Sequence, residues 1–166
     1  LRQAKIDGIA VPDLEVVDPT GDAELLILGW GSSFGPIGEA CRRARRRGIK
    51  VARAQIRHLN PLPGNLGDIL ARYRRVVLPE MNLGQLALLL RGRYLVDVQS
   101  VTKVAGMAFR TDEIEAIIDA PAAPSKVVFT VGTLGDIERD KSTFARLTAA
   151  TVGAGADADA EAGARA

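Results

Sequence analysis

Four short apolar runs alternate with segments of helical periodicity between residues 23 and 119. Leu25–Leu28 is continuously apolar, which is typical of a strand that is covered on both faces. Val51–Ile56 alternates apolar with polar residues, which predicts a buried face and a polar face that meets solvent at a sheet edge, or a partner. Val76–Leu78 and Leu95–Val101 predict two further strands. Each run is therefore short enough for a strand, and the segment between one run and the next is long enough for a helix.

The helical segments carry their own start and stop signals. Pro36 suits a first helical turn and Gly48 suits the residue after the last one. The apolar positions between them share one face and predict a buried stripe: Ile37, Ala40, Cys41 and Ala44. Asn65 and Thr111 are expected to cap two later helices. Strand–helix alternation of this kind predicts an α/β fold, a Rossmann-like three-layer domain with a mostly parallel sheet.

One predicted helix, beginning near Leu83, has almost no polar side over two turns. Its apolar residues are Leu83, Leu86, Ala87, Leu88, Leu89 and Leu90. A helix that is apolar all round is normally buried on all sides, which a small domain rarely achieves alone. We therefore expect one side to pack on the sheet and the other, through Leu88 or Leu89, on a second protein surface.

Composition limits the class of protein. Hydrophobic residues make up 47% of the chain, the net charge is only +2, and there is a single cysteine, Cys41. These values predict one domain with a real core and give no indication of nucleic-acid binding. No apolar run approaches the roughly 20 residues of a membrane span. One cysteine excludes an intramolecular disulfide and a cysteine-only metal cluster within this chain, and it agrees with a cytoplasmic location.

The domain organisation follows from these patterns. Residues 1–22 form an approach segment, 23–119 the main domain, 120–135 a linker of uncertain structure and 136–151 a C-terminal helix. From Gly153 on, the chain is rich in Ala, Gly and Asp without a large apolar residue, so we expect 152–166 to be a disordered tail.

Candidate site residues cluster after the second and third strands. Glu80, Asn82 and Gln85 follow the third strand, at the sheet edge where ligands and partner loops gather in α/β folds. Asn82 with Gln85 three residues later approximates a capping box, which competes with ligand contact as an explanation. Glu80 ends a buried strand and needs a partner for its charge, for which Arg57 is the candidate.

His58 and Asn60 complete the candidates, as interface or active-site-loop residues beside Arg57. His58 and Cys41 alone cannot form a structural zinc site, which needs about four ligands. No serine lies in a nucleophile-elbow context. We therefore predict no catalytic, cofactor-binding or metal-binding residue in this chain.

The turn from Gly29 to Gly35 leaves an alternative open, because a strand–turn–helix junction can bind phosphate. Its spacing is G-x-G-x-x-x-G rather than G-x-G-x-x-G, and no acidic residue ends the second strand. The alternative is an independent nucleotide- or anion-binding α/β module.

Several motifs in order resemble a known family. They are Pro79-Glu80-x-Asn82-x-Gly84-Gln85, Leu28–Ser33, Arg57–Pro63, Tyr94–Val101, and Lys103–Phe109 with Thr111, Glu113 and Ile114. Together they resemble the C-terminal, transketolase-C-terminal-like region (core domain II) of the alpha subunit of 2-oxoacid:ferredoxin oxidoreductases, most closely the 2-oxoglutarate type. The resemblance covers about residues 1–119, and residues 120–131 depart from it. We expect the chain to be a C-terminal fragment of such a bacterial subunit.

The resemblance implies oxidative decarboxylation of a 2-oxoacid to its acyl-CoA, with electrons passed to ferredoxin. It implies thiamine diphosphate, magnesium and an iron–sulfur cluster in the whole complex, bound outside this region. The implied partners are the beta subunit and the remaining domains of the alpha subunit, in a homo- or hetero-oligomer, with ferredoxin reached through the whole complex. The expected role of this region is architectural.

Overall fold

A five-stranded sheet lies between two layers of helices in the computed structural model, which describes residues 2–121. The strands are β1 (Val16–Val17), β2 (Leu25–Trp30), β3 (Val51–Ile56), β4 (Arg75–Glu80) and β5 (Val98–Thr102). The helices are α1 (Arg2–Asp7), α2 (Phe34–Arg46), α3 (Leu66–Arg72), α4 (Gln85–Tyr94) and α5 (Thr111–Asp119), with a 3₁₀ turn at Gly31–Ser33.

The strand order is β1-β3-β2-β4-β5, and only β1 runs antiparallel to its neighbour. The four long strands are parallel, which confirms the predicted mostly parallel α/β sheet. Leu26, Ile27 and Leu28 of the central β2 are fully buried. This is the reason for their unbroken apolar run, since helices cover both faces of the strand.

For the polar face of β3 an edge of the sheet or a partner was expected; the edge position is wrong, and a partner stays a prediction. Val16 and Val17 of β1 pair with Ala54 and Arg53 of β3 and cover its outer side. Arg45 of α2 fastens this addition, because its Nη2 donates to the Val17 carbonyl at 2.8 Å. The first 22 residues are therefore more than an approach segment, since they supply a strand to the sheet.

The hydrophobic core has two parts, one on each face of the sheet, as a three-layer domain requires. One part packs α3 and α4 against the sheet and the other packs α2 and α5. The predicted stripe of α2 is buried in the second part, and it includes Cys41. Burial raises the pKa of the Cys41 thiol to about 11, which keeps it protonated and unreactive near neutral pH.

Local signals at the element ends were less reliable. Asn65 does occupy the N-cap position of α3, but its amide bonds the Leu14 backbone instead: Oδ1 accepts from N at 2.8 Å and Nδ2 donates to O at 3.1 Å. Thr111 is the first residue of α5 rather than its cap, which is Arg110. Leu95 ends α4 in a left-handed conformation, so β5 begins later than predicted, at Val98.

Within residues 2–121, no helix is long and apolar enough to cross a membrane. The predicted C-terminal helix at 136–151 and tail at 152–166 lie outside the described residues, as does most of the predicted linker at 120–135.

Two leucines of α4 provide a test of its orientation. Leu90 is fully buried, whereas Leu88 is 68% exposed. Leu90→Ala is expected to lower the free energy of unfolding by about 2–5 kcal/mol, because it leaves a cavity in the core. Leu88→Ala, the matched control, is expected to change it by less than about 0.5 kcal/mol. Urea denaturation followed by circular dichroism measures both, and equal losses would contradict the described orientation of the helix.

Candidate functional site

The candidate site is the carboxyl edge of the sheet, where the parallel strands β2 to β5 end. The helix after β2 packs on one face of the sheet and the helix after β4 packs on the other, although β2 and β4 are neighbours. The chain therefore leaves these two strands in opposite directions, and a crevice opens between their ends. In open α/β sheets this is where ligands bind.

Glu80 is fully buried at this edge, and backbone amides rather than an arginine satisfy it. Its carboxylate accepts hydrogen bonds from the N–H of Leu86 at 2.9 Å and of Ala87 at 3.2 Å. The Ser100 hydroxyl donates to the same carboxylate at 2.9 Å. The predicted pairing of Glu80 with Arg57 is therefore wrong. The carboxylate instead lies at the N-terminus of α4, where a helix favours negative charge.

The capping box predicted for Asn82 and Gln85 is also wrong. The N-cap position of α4 belongs to Gly84, in a left-handed conformation with φ of 91° that favours glycine. Asn82 Oδ1 accepts from the Gly84 N–H at 2.7 Å, and Gln85 Oε1 accepts from the Leu83 N–H at 3.0 Å. Both side chains therefore shape the turn before the helix, while Glu80 takes the helical N–H groups.

Two crevices open on the carboxyl edge, on either side of the turn after β2. The first, of about 450 Å³, is lined by Trp30, Gly31, Phe34, Gln55, Ile56, Arg57 and Leu59. The second, of about 280 Å³, is lined by Trp30, Gly31, Ser32, Ser33, Pro79, Met81 and Asn82. Because both include Trp30 and Gly31, they are neighbouring parts of one surface.

Packing explains the glycines of the turn that suggested phosphate binding. A side chain at Gly29 would place its Cβ 2.3 Å from Gln55 Oε1, and Gly31 has a φ of 60°. The Ser33 hydroxyl is engaged by the turn itself, since it donates to the Trp30 carbonyl at 2.8 Å and accepts from the Trp30 N–H at 3.1 Å. Gln55 Nε2 donates to the Gly31 carbonyl at 3.2 Å.

The remaining sequence-predicted residues divide between two surfaces. Arg57, His58 and Asn60 are exposed on the loop after β3, and only Arg57 lines a crevice. Leu88 and Leu89 are 68% and 48% exposed on the outer side of α4. The structure thus brings Arg57 and Asn82 to the carboxyl edge, and it places the leucines on a separate helical face.

Sequence analysis missed the apolar walls of the first crevice, which are Trp30, Phe34 and Leu59. Large apolar residues directly after two predicted strands were the available signal. It also missed Ser100, whose partner Glu80 is distant in sequence.

The described residues line two crevices and offer no assembled metal centre. No three His, Cys, Asp or Glu side chains within residues 2–121 lie close enough to hold a metal ion. The Ser32 hydroxyl, which lines the second crevice, donates to Met81 Sδ at 3.3 Å. The apolar walls and one unpaired arginine suit recognition of an apolar, anionic group.

Glu80→Gln tests the role of the buried carboxylate. The amide retains the size but loses the charge and one acceptor, so the free energy of unfolding is expected to fall by about 1–3 kcal/mol. Amide exchange at Leu86 and Ala87 should accelerate, which NMR can measure. Gln85→Ala is the control, because its exposed bond to Leu83 should be worth about 1 kcal/mol or less. Unchanged exchange at both amides in the Gln variant would contradict the capping role.

Comparison with known proteins identifies relatives along most of the chain. The family described as "Pyruvate:ferredoxin oxidoreductase core domain II" matches residues 23–117. "2-oxoglutarate oxidoreductase subunit KorA" of Mycobacterium tuberculosis is 67% identical over 157 residues, which are 95% of this chain and 23% of the relative. "2-oxoacid:ferredoxin oxidoreductase 2, subunit alpha" of Aeropyrum pernix is 33% identical over 70% of this chain and 19% of its own length.

A solved structure agrees with these relatives. The 2-oxoglutarate:ferredoxin oxidoreductase of Magnetococcus marinus, with 2-oxoglutarate, coenzyme A and succinyl-CoA bound, superposes with a TM-score of 0.62 at 27% identity, over 70% of this chain and 20% of that one. The chain therefore spans less than a quarter of the length of the proteins named here. The resemblance inferred from the motifs is confirmed, and the chain belongs to the pyruvate:ferredoxin oxidoreductase core domain II family.

Proposed function

We propose that the chain is a structural, subunit-interface domain in the alpha subunit of a thiamine-diphosphate-dependent 2-oxoglutarate:ferredoxin oxidoreductase. The whole enzyme would decarboxylate 2-oxoglutarate oxidatively to its acyl-CoA and pass the electrons to ferredoxin, in the cytoplasm. The observation that carries the proposal is the 67% identity with KorA over 95% of this chain. The substrate and products named for the Magnetococcus enzyme support the same reaction.

We assign the cofactors of the complex to regions other than residues 2–121. Four cysteine thiolates typically hold an iron–sulfur cluster, and the one cysteine of this chain, Cys41, lies on the buried face of α2. This residue set does not fit an iron–sulfur cluster. The proposed contribution of residues 2–121 is therefore to bind and position other parts of the enzyme.

The outer face of α4 is the first surface suited to assembly. Leu86, Ala87 and Leu90 pack on the sheet, while Leu88 and Leu89 project away from it. Burying one leucine side chain stabilises an assembly by roughly 1.5–3 kcal/mol. These two side chains can therefore decide whether subunits associate.

We assign this face to the beta subunit. Helix α4 carries Arg91 and Arg93 and no acidic residue, so a complementary partner is apolar with carboxylates at its rim. The relatives are themselves named as subunits, which supports a partner chain in general.

A chimera tests the proposed function directly. This chain would replace the matching segment of M. tuberculosis KorA, produced together with the partner subunit of that enzyme. The chimera is expected to reduce methyl viologen in the presence of 2-oxoglutarate and CoA, because the domain supplies architecture that the two proteins share. The isolated chain, with added thiamine diphosphate and magnesium, is expected to show no such turnover.

Turnover by the isolated chain would contradict the architectural role. An assembled chimera that retains its cofactors but shows no activity would contradict membership of this enzyme. Pyruvate serves as the comparison substrate. The preference of the chimera for 2-oxoglutarate over pyruvate should follow the KorA portion.

Leu88→Asp and Leu89→Asp test the assembly face. Both side chains are exposed, so circular dichroism should report folded domains in each case. Association of the chimera with the beta subunit, measured by size-exclusion chromatography with light scattering, should weaken, because a carboxylate would be buried without a partner. Ile9→Asp, at an exposed residue outside α4, is the matched control. If both leucine variants assemble as the control does, the face is not an interface.

A further inference from the structure

The carboxyl edge of the sheet is cationic. Its loops are residues 31–33, 57–65, 81–84 and 103–110. They contain Arg57, Lys103, Arg110 and the one histidine, and no aspartate or glutamate. Glu113 pairs with Lys103 at 2.7 Å and Asp112 pairs with Arg110, so α5 neutralises both. Arg57 makes no ion pair with any residue among 2–121 and is left as the uncompensated charge.

The opposite edge, where the strands begin, carries charges of both signs. Asp22 pairs with Lys50 at 2.5 Å and Glu24 pairs with Arg74 at 3.4 Å, so these carboxylates are compensated within the domain. Arg57 is therefore the charge that distinguishes the carboxyl edge, and it favours the approach of an acidic group.

The carboxyl edge also exposes several large apolar side chains. Each of its four loops places a large apolar side chain between 37% and 61% exposed at or beside the loop: Phe34, Leu59, Met81, Leu83, Val104 and Met107. Single exposed apolar residues are normal on protein surfaces, whereas several at one edge mark an interaction site. None of these side chains belongs to either part of the hydrophobic core, so the fold does not explain why they are apolar.

The first crevice combines both properties at one place. Trp30, Phe34 and Leu59 form its apolar walls, and Arg57 lies at its side. The Arg53 guanidinium lies 5.4 Å from the centre of the Phe34 ring, which fixes the ring against β3. The hydrogen bond from Gln55 to the Gly31 carbonyl holds the turn beneath. Phe34 and the turn at Gly31 are therefore held by contacts within the domain.

We infer that this crevice docks another domain of the same alpha subunit, which inserts an apolar side chain between Trp30, Phe34 and Leu59 and pairs a carboxylate with Arg57. The inference rests on the proposed function and adds the partner of the carboxyl edge. The chain spans 23% of KorA, so most of that subunit is available to occupy the crevice. Charge complementarity requires the acidic group.

A small phosphorylated ligand fits the crevice less well. Anion-binding turns offer several free N–H or hydroxyl donors. Here the Gln55 amide, a donor that lines the crevice, already donates to the Gly31 carbonyl, and Arg57 is the one lining residue with a charged donor group. Most of the wall is aromatic or aliphatic, which suits a side chain of another domain.

Capture of this chain by the remainder of KorA tests the inference. The probe is the part of M. tuberculosis KorA outside the matched region, produced with its partner subunit and immobilised for biolayer interferometry. Arg57→Glu is expected to weaken capture by about tenfold or more, since like charges would then face each other. Arg57→Lys should retain part of the affinity, and Phe34→Ser should lose it. Raised salt should weaken wild type more than Arg57→Glu.

Arg74→Glu is the matched control, because this arginine is 81% exposed at the opposite edge. Equal affinities for Arg57→Glu and Arg74→Glu would overturn the inference, as would a wild-type chain that the probe does not capture. Loss of capture by Leu88→Asp with the capture of Arg57→Glu unchanged would also overturn it, because binding would then run through α4 and not through the crevice. The chimera described above reports the proposed function independently of these outcomes.

Calorimetry with ATP and with inorganic phosphate tests the alternative that the crevice binds a small phosphorylated ligand. Saturable binding that Arg57→Glu abolishes, with capture unchanged, would overturn domain docking in favour of an anion site. Absence of binding by either compound, together with weaker capture of Arg57→Glu, supports docking.

Discussion

The buried carboxylate of Glu80 holds the carboxyl edge of this domain in place. It ends β4, accepts hydrogen bonds from two N–H groups of α4 and accepts one from the hydroxyl of Ser100 on β5. One side chain thus joins a helix and two strands at a point without solvent. The two residues that follow it, Met81 and Asn82, line the second crevice. A buried charge is tolerated here because several donors and the helix dipole compensate it.

The two-sided burial of the sheet decides which surfaces remain for partners. Helices α3 and α4 cover one face and α2 with α5 covers the other, so neither face is free. What remains is the edge where the strands end and the outward side of each helix. On α4 the fold uses Leu86, Ala87 and Leu90, and the exposed leucines beside them add nothing to its core. These exposed leucines are the basis of the assembly face proposed above.

Periodicity predicted the elements well because burial acts on every residue of a strand or helix. The continuous apolar run of β2 follows from coverage on both faces of the strand. The apolar stripe of α2 follows from coverage on one face of the helix. Hydrogen bonds at element ends were predicted poorly because their partners are distant in sequence. Asn65 binds Leu14, and no local pattern near residue 65 indicates that contact. Strand β1 has two residues, too few for any alternation to appear.

The order of the strands has a consequence for synthesis. Leu25 of β2 pairs with Val51 of β3 on one side and with Arg75 of β4 on the other, and both neighbours come later in the chain. During synthesis from the N-terminus, an uncharged apolar strand therefore leaves the ribosome before either strand that will cover its edges. Parallel pairing waits further for each crossover helix to form. The best-protected strand of the finished domain is thus the one exposed longest in the nascent chain, when uncovered edges are prone to aggregate.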